Sequence, residues 1–238
     1  MIPYKDDNPT ERRPIVTVVL IVLNVLAFFF ELSLGPRLSG FLAEFGAVPA
    51  EIFSGAGPAV SAAIPAPVTL LTSLFLHGGW MHLIGNMLYL WIFGNNVEDI
   101  LGHFRFIIFY LAGGVAATLA QGITNPASTI PTIGASGAIS GVLGAYLIVF
   151  PRARVYTLLP IGFFLQVVVL PAYFVLGFWF VLQFFSGVLS LGNQLGGVAF
   201  FAHVGGFVFG MLPIKFVIKY PPRRGGVSHP GYIYRLRR

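Results

Sequence analysis

Cysteine is absent from the 238 residues, and charge is scarce: Asp, Glu, Lys and Arg together make up 9% of the chain. Without cysteine there is no disulfide framework, no thiolate nucleophile and no cysteine-held metal. Soluble domains carry about a quarter of their residues as charged groups, so a disordered chain, a coiled coil and a nucleic-acid surface are all excluded. The net charge of +6 does not reverse this, because the basic residues sit in loops and tails. What takes the place of charge is a 56% hydrophobic and 15% aromatic content. Such a chain is built for a bilayer.

A helix needs about 20 mostly apolar residues to cross the hydrocarbon core. Runs of that kind extend from Ile15 to about Leu34, Trp80 to Val97, Phe104 to Gln121, Gly134 to Phe150, Pro171 to Leu189 and Val198 to about Val217. The first is too long for a secretory h-region and has no small-residue cleavage site close behind it, so it reads as a retained span. Val155 to Leu170 is apolar too, but Pro160 and Gly162 interrupt it and Pro171 closes it. Its Val and Phe content predicts an extended or interfacial connector instead of a seventh helix.

The expected fold is therefore an all-α membrane bundle of six transmembrane helices. It forms one polytopic unit: residues 1–14 as N-terminal segment, 15–217 as core, 218–238 as basic tail. Loop charges agree with six spans. Thirteen Lys and Arg residues fall on one side and only Arg37 on the other. Cytoplasmic loops carry the Lys/Arg excess, so both termini are expected in the cytoplasm. The tail arginines then read as topology determinants that touch anionic lipid. The long first loop, about Gly35 to Gly79, is so apolar that it is expected to rest partly in the membrane interface. The uncharged loop Ser186 to Gly197 suits a mobile cap or an inert turn.

Polar groups inside membrane helices are costly and usually functional. The set is short: Asn24 and Glu31 in the first run, His82 and Asn86 in the second, Ser136 and Ser140 in the fourth, His203 in the sixth, with His77 just ahead of the second. Gln121, Gln183 and Asn193 lie near span ends, where water is available, and receive no special reading. His82 and Asn86, four residues apart, share one helical face. They serve equally well as interhelical glue or as a polar site.

Ser136 follows the Pro126 to Pro131 loop and falls in the first turn of its helix, where backbone N–H groups lack intrahelical partners. An oxyanion formed there meets free donors. Packing between helices is the alternative use of such a serine. Gly206 and Gly210 continue the face that His203 opens, and Gly137, Gly141 and Gly144 form a matching stripe behind Ser136. Two glycine-faced helices approach closely. In a six-span chain the fourth and sixth run in the same direction, which puts Ser136 and His203 at one depth.

With these blocks assembled, the chain resembles the rhomboid family of intramembrane serine proteases. The matching segments are FLHGGWMHLIGNMLYLWIFGNNVED (Phe75 to Asp99), GASGAISGVLGAY (Gly134 to Tyr146) and AHVGGFVFG (Ala202 to Gly210). The resemblance implies Ser136 as nucleophile and His203 as general base, with no cofactor. It implies His82 and Asn86 at the oxyanion and substrate-carbonyl site, Gly134 opening the serine motif, and structural roles for His77 and Glu98. The implied partners are single-span membrane proteins cut near the outer face of a bacterial or archaeal plasma membrane. Two positions depart from the family pattern: Val68-Thr69 stands where many members have Trp-Arg, and Ser140 where some have an aromatic residue. A relative without catalysis would keep this fold and bind membrane proteins instead. A metal site built on His77, His82 and His203 lacks both an H-E-x-x-H pattern and a neighbouring carboxylate base. A transporter would call for repeated halves, which the chain does not show.

Overall fold

The computed structural model describes residues 1–53, 64–162, 164–191 and 197–220. In chain order it contains β1 (Ile2–Asp6), α1 (Ile15–Ser33), α2 (Leu38–Phe45), α3 (Pro49–Phe53), α4 (Ala66–Thr72), α5 (Trp80–Tyr89), α6 (Asn95–Leu101), α7 (His103–Thr124), α8 (Ser136–Val149), β2 (Arg154–Ile161), β3 (Phe164–Pro171), α9 (Ala172–Ser190), α10 (Phe200–Met211) and α11 (Ile214–Val217). A π turn at Leu90–Gly94 joins α5 to α6, so Trp80–Leu101 is one rod, set at 83° to Ala66–Phe75.

Each of the six apolar runs is occupied by helix. By length and apolarity, α1, α7 and α9 are sufficient to cross a membrane among the described residues, and the bent pair ending at Leu101 makes a fourth if it is taken as one span. α8 and α10 hold only 14 and 12 residues. At 1.5 Å per residue they are about 21 and 18 Å long, shorter than a typical hydrocarbon core.

The all-α expectation is corrected at one place. Val155 to Leu170 is extended, as its composition predicts, but it is also paired: β2 and β3 form a hairpin, and β1 adds antiparallel to β2. β-Branched residues and the Pro160–Gly162 break favour this over a helix. The pairing of β1 depends on residues about 150 positions away, which no local pattern records.

α8 is the centre of the molecule. Every residue from Gly137 to Tyr146 is buried. It lies against α10 with almost no side chain between them. A Cβ at Gly206 would collide with the Gly137 carbonyl, one at Gly210 with the Gly141 carbonyl, and one at Gly144 with the Phe207 carbonyl. α7 closes the third side, where Ala117 faces Gly137 and Gly206. With no hydrophobic gain available between helices in lipid, this backbone-to-backbone packing is what holds them.

The described parts of the first loop, residues 35–53 and 64–79, contain short helices. The loop is tied to the segment before α8 by a two-way backbone bridge between Ala47 and Thr132, at 3.0 and 2.8 Å. Exposed Phe53, Val68 and Leu71 give it an apolar outer surface. The proposed cap loop is partly the end of α9, which runs to Ser190, and its residues 192–196 lie outside the described residues. The tail arginines from Arg223 onward lie outside them as well; Lys219 and Tyr220 bond to the Ile100 carbonyl at the end of α6.

Candidate active site

Ser136 is the first residue of α8 and half-buried. The helix begins there because Gly134 turns the chain at φ +119°, a conformation that favours glycine. Gly134 is held by its N–H, which donates to the Ser73 carbonyl at 2.8 Å. Its bare Cα also makes room for the His82 ring: an added Cβ would lie 2.7 Å from Cε1 and Nε2. Gly134 thus serves the site through shape.

The first backbone bond into α8 at this end runs from the Ile139 N–H to the Ala135 carbonyl. The N–H groups of Ser136, Gly137 and Ala138 precede it and have no intrahelical acceptor. They make the start of α8 a place that favours negative charge.

His203, in the first turn of α10, reaches Ser136 directly. Its Nε2 lies 2.8 Å from the serine Oγ. The glycine contact between α8 and α10 brings this about, since larger residues there would push the two helices apart. The far side of the imidazole is also engaged: Nδ1 lies 2.7 Å from Gln183 Oε1. The Gln183 carbonyl oxygen accepts from Nδ1–H, which leaves the Nε2 lone pair to accept from the serine hydroxyl. Trp179, one turn before Gln183 on α9, lies on the imidazole with ring centroids 5.8 Å apart and planes 34° from parallel.

His82 and Asn86 are brought to the same cavity by α5. The Gly78 N–H donates to His82 Nδ1 at 3.3 Å. A neutral ring with Nδ1 as acceptor carries its proton on Nε2, the atom beside Gly134. Asn86 is buried and its Nδ2 has no protein partner. Buried donors are nearly always satisfied, so one left free in a cavity marks a place for an acceptor from outside the chain. The cavity encloses about 1430 Å³, and Ser136, His203, His82, Asn86 and Trp179 all line it.

The remaining polar residues have local tasks. Ser140 Oγ bonds back to the Ser136 carbonyl at 2.6 Å, and Asn24 Nδ2 to the Leu20 carbonyl at 2.7 Å. The buried Glu31 carboxylate accepts the His77 backbone N–H at 3.2 Å through each oxygen. His77 in turn sets its ring edge-on to His82, 5.0 Å between centroids, so it supports the site from behind. Glu98 accepts from the Val16 and Thr17 N–H groups and the Thr17 hydroxyl at 2.7 to 2.9 Å, capping α1.

Three residues at the site escape the sequence reading. Trp179 is the aromatic packing partner of His203, in the absence of an aromatic at position 140. Gln183 and Gln121, set aside as span-end residues, both hold α10: Gln121 Oε1 accepts the Ala202 N–H at 3.2 Å in the first turn. The signal available for the first two is their spacing, since Trp179 and Gln183 are four apart and share the α9 face that carries Leu176 and Gly187 inward.

Residues 66–220 match the Rhomboid domain family model. The chain is 34% identical over 191 residues to the rhomboid protease GluP of Bacillus subtilis, covering 80% of this chain and 34% of GluP. It is 30% identical over 161 residues to the chloroplastic Rhomboid-like protein 11 of Arabidopsis thaliana, covering 66% of this chain and 55% of that protein. A mitochondrial presenilin-associated rhomboid-like protein of Danio rerio is 32% identical over 154 residues, 60% of this chain and 35% of the relative. The chain thus spans between about a third and a half of these relatives. With most of its residues inside the family model, it belongs to the rhomboid family of integral membrane proteins.

Proposed function

We propose that the chain is an intramembrane serine endopeptidase that cleaves other membrane proteins through Ser136 and His203. The observation that carries the reading is the 2.8 Å approach of His203 Nε2 to Ser136 Oγ inside a cavity that also holds unengaged donors. A serine hydroxyl is a weak nucleophile until an adjacent base takes its proton. Here Oγ attacks the peptide carbonyl carbon as its proton passes to His203 Nε2. The carbonyl oxygen becomes an oxyanion, for which the His82 Nε2–H, the Asn86 amide and the Ser136 N–H are the donors in reach. The tetrahedral species collapses: the C–N bond breaks, His203 protonates the leaving amine, and an ester to Ser136 remains. Water then repeats the sequence, giving its proton to His203 and releasing the acid.

The substrate is a membrane protein, in our reading one of single span. A peptide bond within an intact helix is hydrogen-bonded and poorly exposed, so small or helix-breaking residues are expected near the cut. Successive rods α1, Trp80–Leu101, α7, α8, α9 and α10 alternate in direction, which supports six crossings with residues 15–217 as core and 218–238 as tail. The loop charges favour both termini in the cytoplasm. The active site then faces the outer aqueous phase of a bacterial or archaeal plasma membrane.

The test is reconstitution of the protein in liposomes with a panel of single-span substrates, with cut positions mapped. Cleavage by wild type, and its loss in Ser136→Ala and in His203→Ala, is the expected result. Folded wild type that binds these substrates without cutting any would overturn the reading and leave a membrane-protein binding factor.

A further inference from the structure

We infer that Gln183 is a positioning residue for this hydrolysis, the third member of a Ser136–His203–Gln183 relay that holds the base in its working tautomer. The inference rests on the Ser136–His203 reading above. An imidazole accepts a proton at Nε2 only if its own proton sits on Nδ1. With apolar surroundings and no partner at Nδ1, the two tautomers compete, and the Nε2–H form would donate toward Ser136 instead of activating it.

The structure removes that competition. Gln183 Oε1 meets Nδ1 at 2.7 Å, while Nε2 meets Ser136 Oγ at 2.8 Å. With an amide oxygen at Nδ1 and a hydroxyl at Nε2, the Nδ1–H tautomer satisfies both contacts. Trp179, four residues before Gln183, covers the ring, so α9 supplies both the edge contact and the neighbouring aromatic surface. Phe200 and Phe201 lie 3.3 Å from where a Gly187 side chain would begin. That close seating continues one turn beyond Gln183 and sets its distance from α10.

The chemistry also explains an amide in this position. Soluble serine proteases place a carboxylate behind the histidine, where it orients the ring and stabilises the imidazolium. A carboxylate on a lipid-facing helix carries a heavy desolvation penalty. A neutral amide oxygen supplies the orientation without a buried charge. Gln183 thus acts on the tautomer through His203, and it touches neither substrate nor Ser136.

The experiment combines turnover with the nitrogen-15 spectrum of the His203 ring in lipid nanodiscs, at a pH where the ring is neutral. Wild type is expected to show a protonated Nδ1 and an acceptor Nε2. Gln183→Leu should lose that single-tautomer signature and lower kcat by at least about 10-fold, as loss of an outer-shell partner does for metal-bound histidines, with KM within about two-fold. Gln183→Glu, which keeps an acceptor at the same reach, should recover the Nδ1–H signal and, against the desolvation cost of its charge, part of kcat. Gln183→Met keeps the side-chain length and should behave as Gln183→Leu, which separates acceptor loss from packing loss. Unchanged kcat and tautomer in the Leu and Met variants would overturn the inference, as would a loss of turnover that Gln183→Glu does not recover. If instead wild type cleaves nothing, the protease reading fails, while the ring spectrum still decides whether Gln183 governs the tautomer.

Discussion

At its first residue α8 presents Ser136, whose own N–H and the next two have no intrahelical acceptor, beside an open cavity. At its last turn the same helix presents Tyr146, whose hydroxyl donates to Asp6 Oδ2 at 2.5 Å in strand β1. That second end is closed. Arg154 Nε bonds Asp7 Oδ2 at 2.5 Å, Glu98 caps α1, Asp99 accepts the Glu11 and Arg12 N–H groups, and the three-stranded sheet covers the surface. Glu98 meets the start of α1 there, where its charge is favourable. At the Ser136 end no carboxylate meets the start of α8 among the described residues, and its first N–H groups have no intrahelical acceptor. One helix thus joins a region closed by hydrogen bonds and ion pairs to a region that opens on a cavity.

Substitutions that break the open end should act on turnover and leave the fold intact. The largest effect is expected from Ser136→Ala and His203→Ala, each lowering kcat at least about 10⁴-fold in a cleavage assay on reconstituted protein, with the melting curve little changed. Next come Asn86→Ala and His82→Ala. Loss of one oxyanion donor lowers kcat about 10²- to 10³-fold, with substrate binding within about two-fold. An effect as complete as that of Ser136→Ala would assign those residues more than stabilisation of the oxyanion.

Substitutions that break the closed end should do the reverse. Glu98→Ala strands the Val16 and Thr17 N–H groups and is expected to destabilise by about 3 kcal/mol, read by unfolding in detergent. Its folded fraction should keep wild-type turnover. Asp6 gives the smallest effect, and a pH-dependent one. Burial pushes its carboxyl up to about 6, against the lowering influence of the Tyr146 hydrogen bond. A raised carboxyl favours the folded state when protonated, so its ionisation weakens the fold as pH rises from about 4 through 6. Asp6→Asn should therefore raise the melting temperature at pH 7.5, and the gain should vanish near pH 4. A gain independent of pH would remove Asp6 from this account.

Much of the open end can be read from the chain because its parts are local. His82 and Asn86 are one turn apart, Ser136 follows a proline-bounded loop, and the Gly206 and Gly210 stripe shares a face with His203. The helices holding these residues start within two positions of the expected limits, although α10 stops at Met211, short of Val217. The closed end is less legible, because β1 pairs with β2 from Ile2 to Leu158 and no periodicity announces it. Gln183 and Gln121 are missed for another reason. Near a span end a glutamine has water as a ready partner, and only the three-dimensional approach of α9 and α7 to α10 shows that each is engaged. Trp179 reads as one more aromatic on an apolar helix until the imidazole is found beneath it. The shortness of α8 and α10 has the same origin: their close glycine packing lets them sit inside the bundle instead of against lipid.

The most direct test of the central claim is to treat folded protein with a serine-reactive fluorophosphonate and map the adduct by mass spectrometry. A single adduct on Ser136, lost in His203→Ala, is the predicted result. Folded wild type that takes up no label, or label that persists in Ser136→Ala, would contradict it.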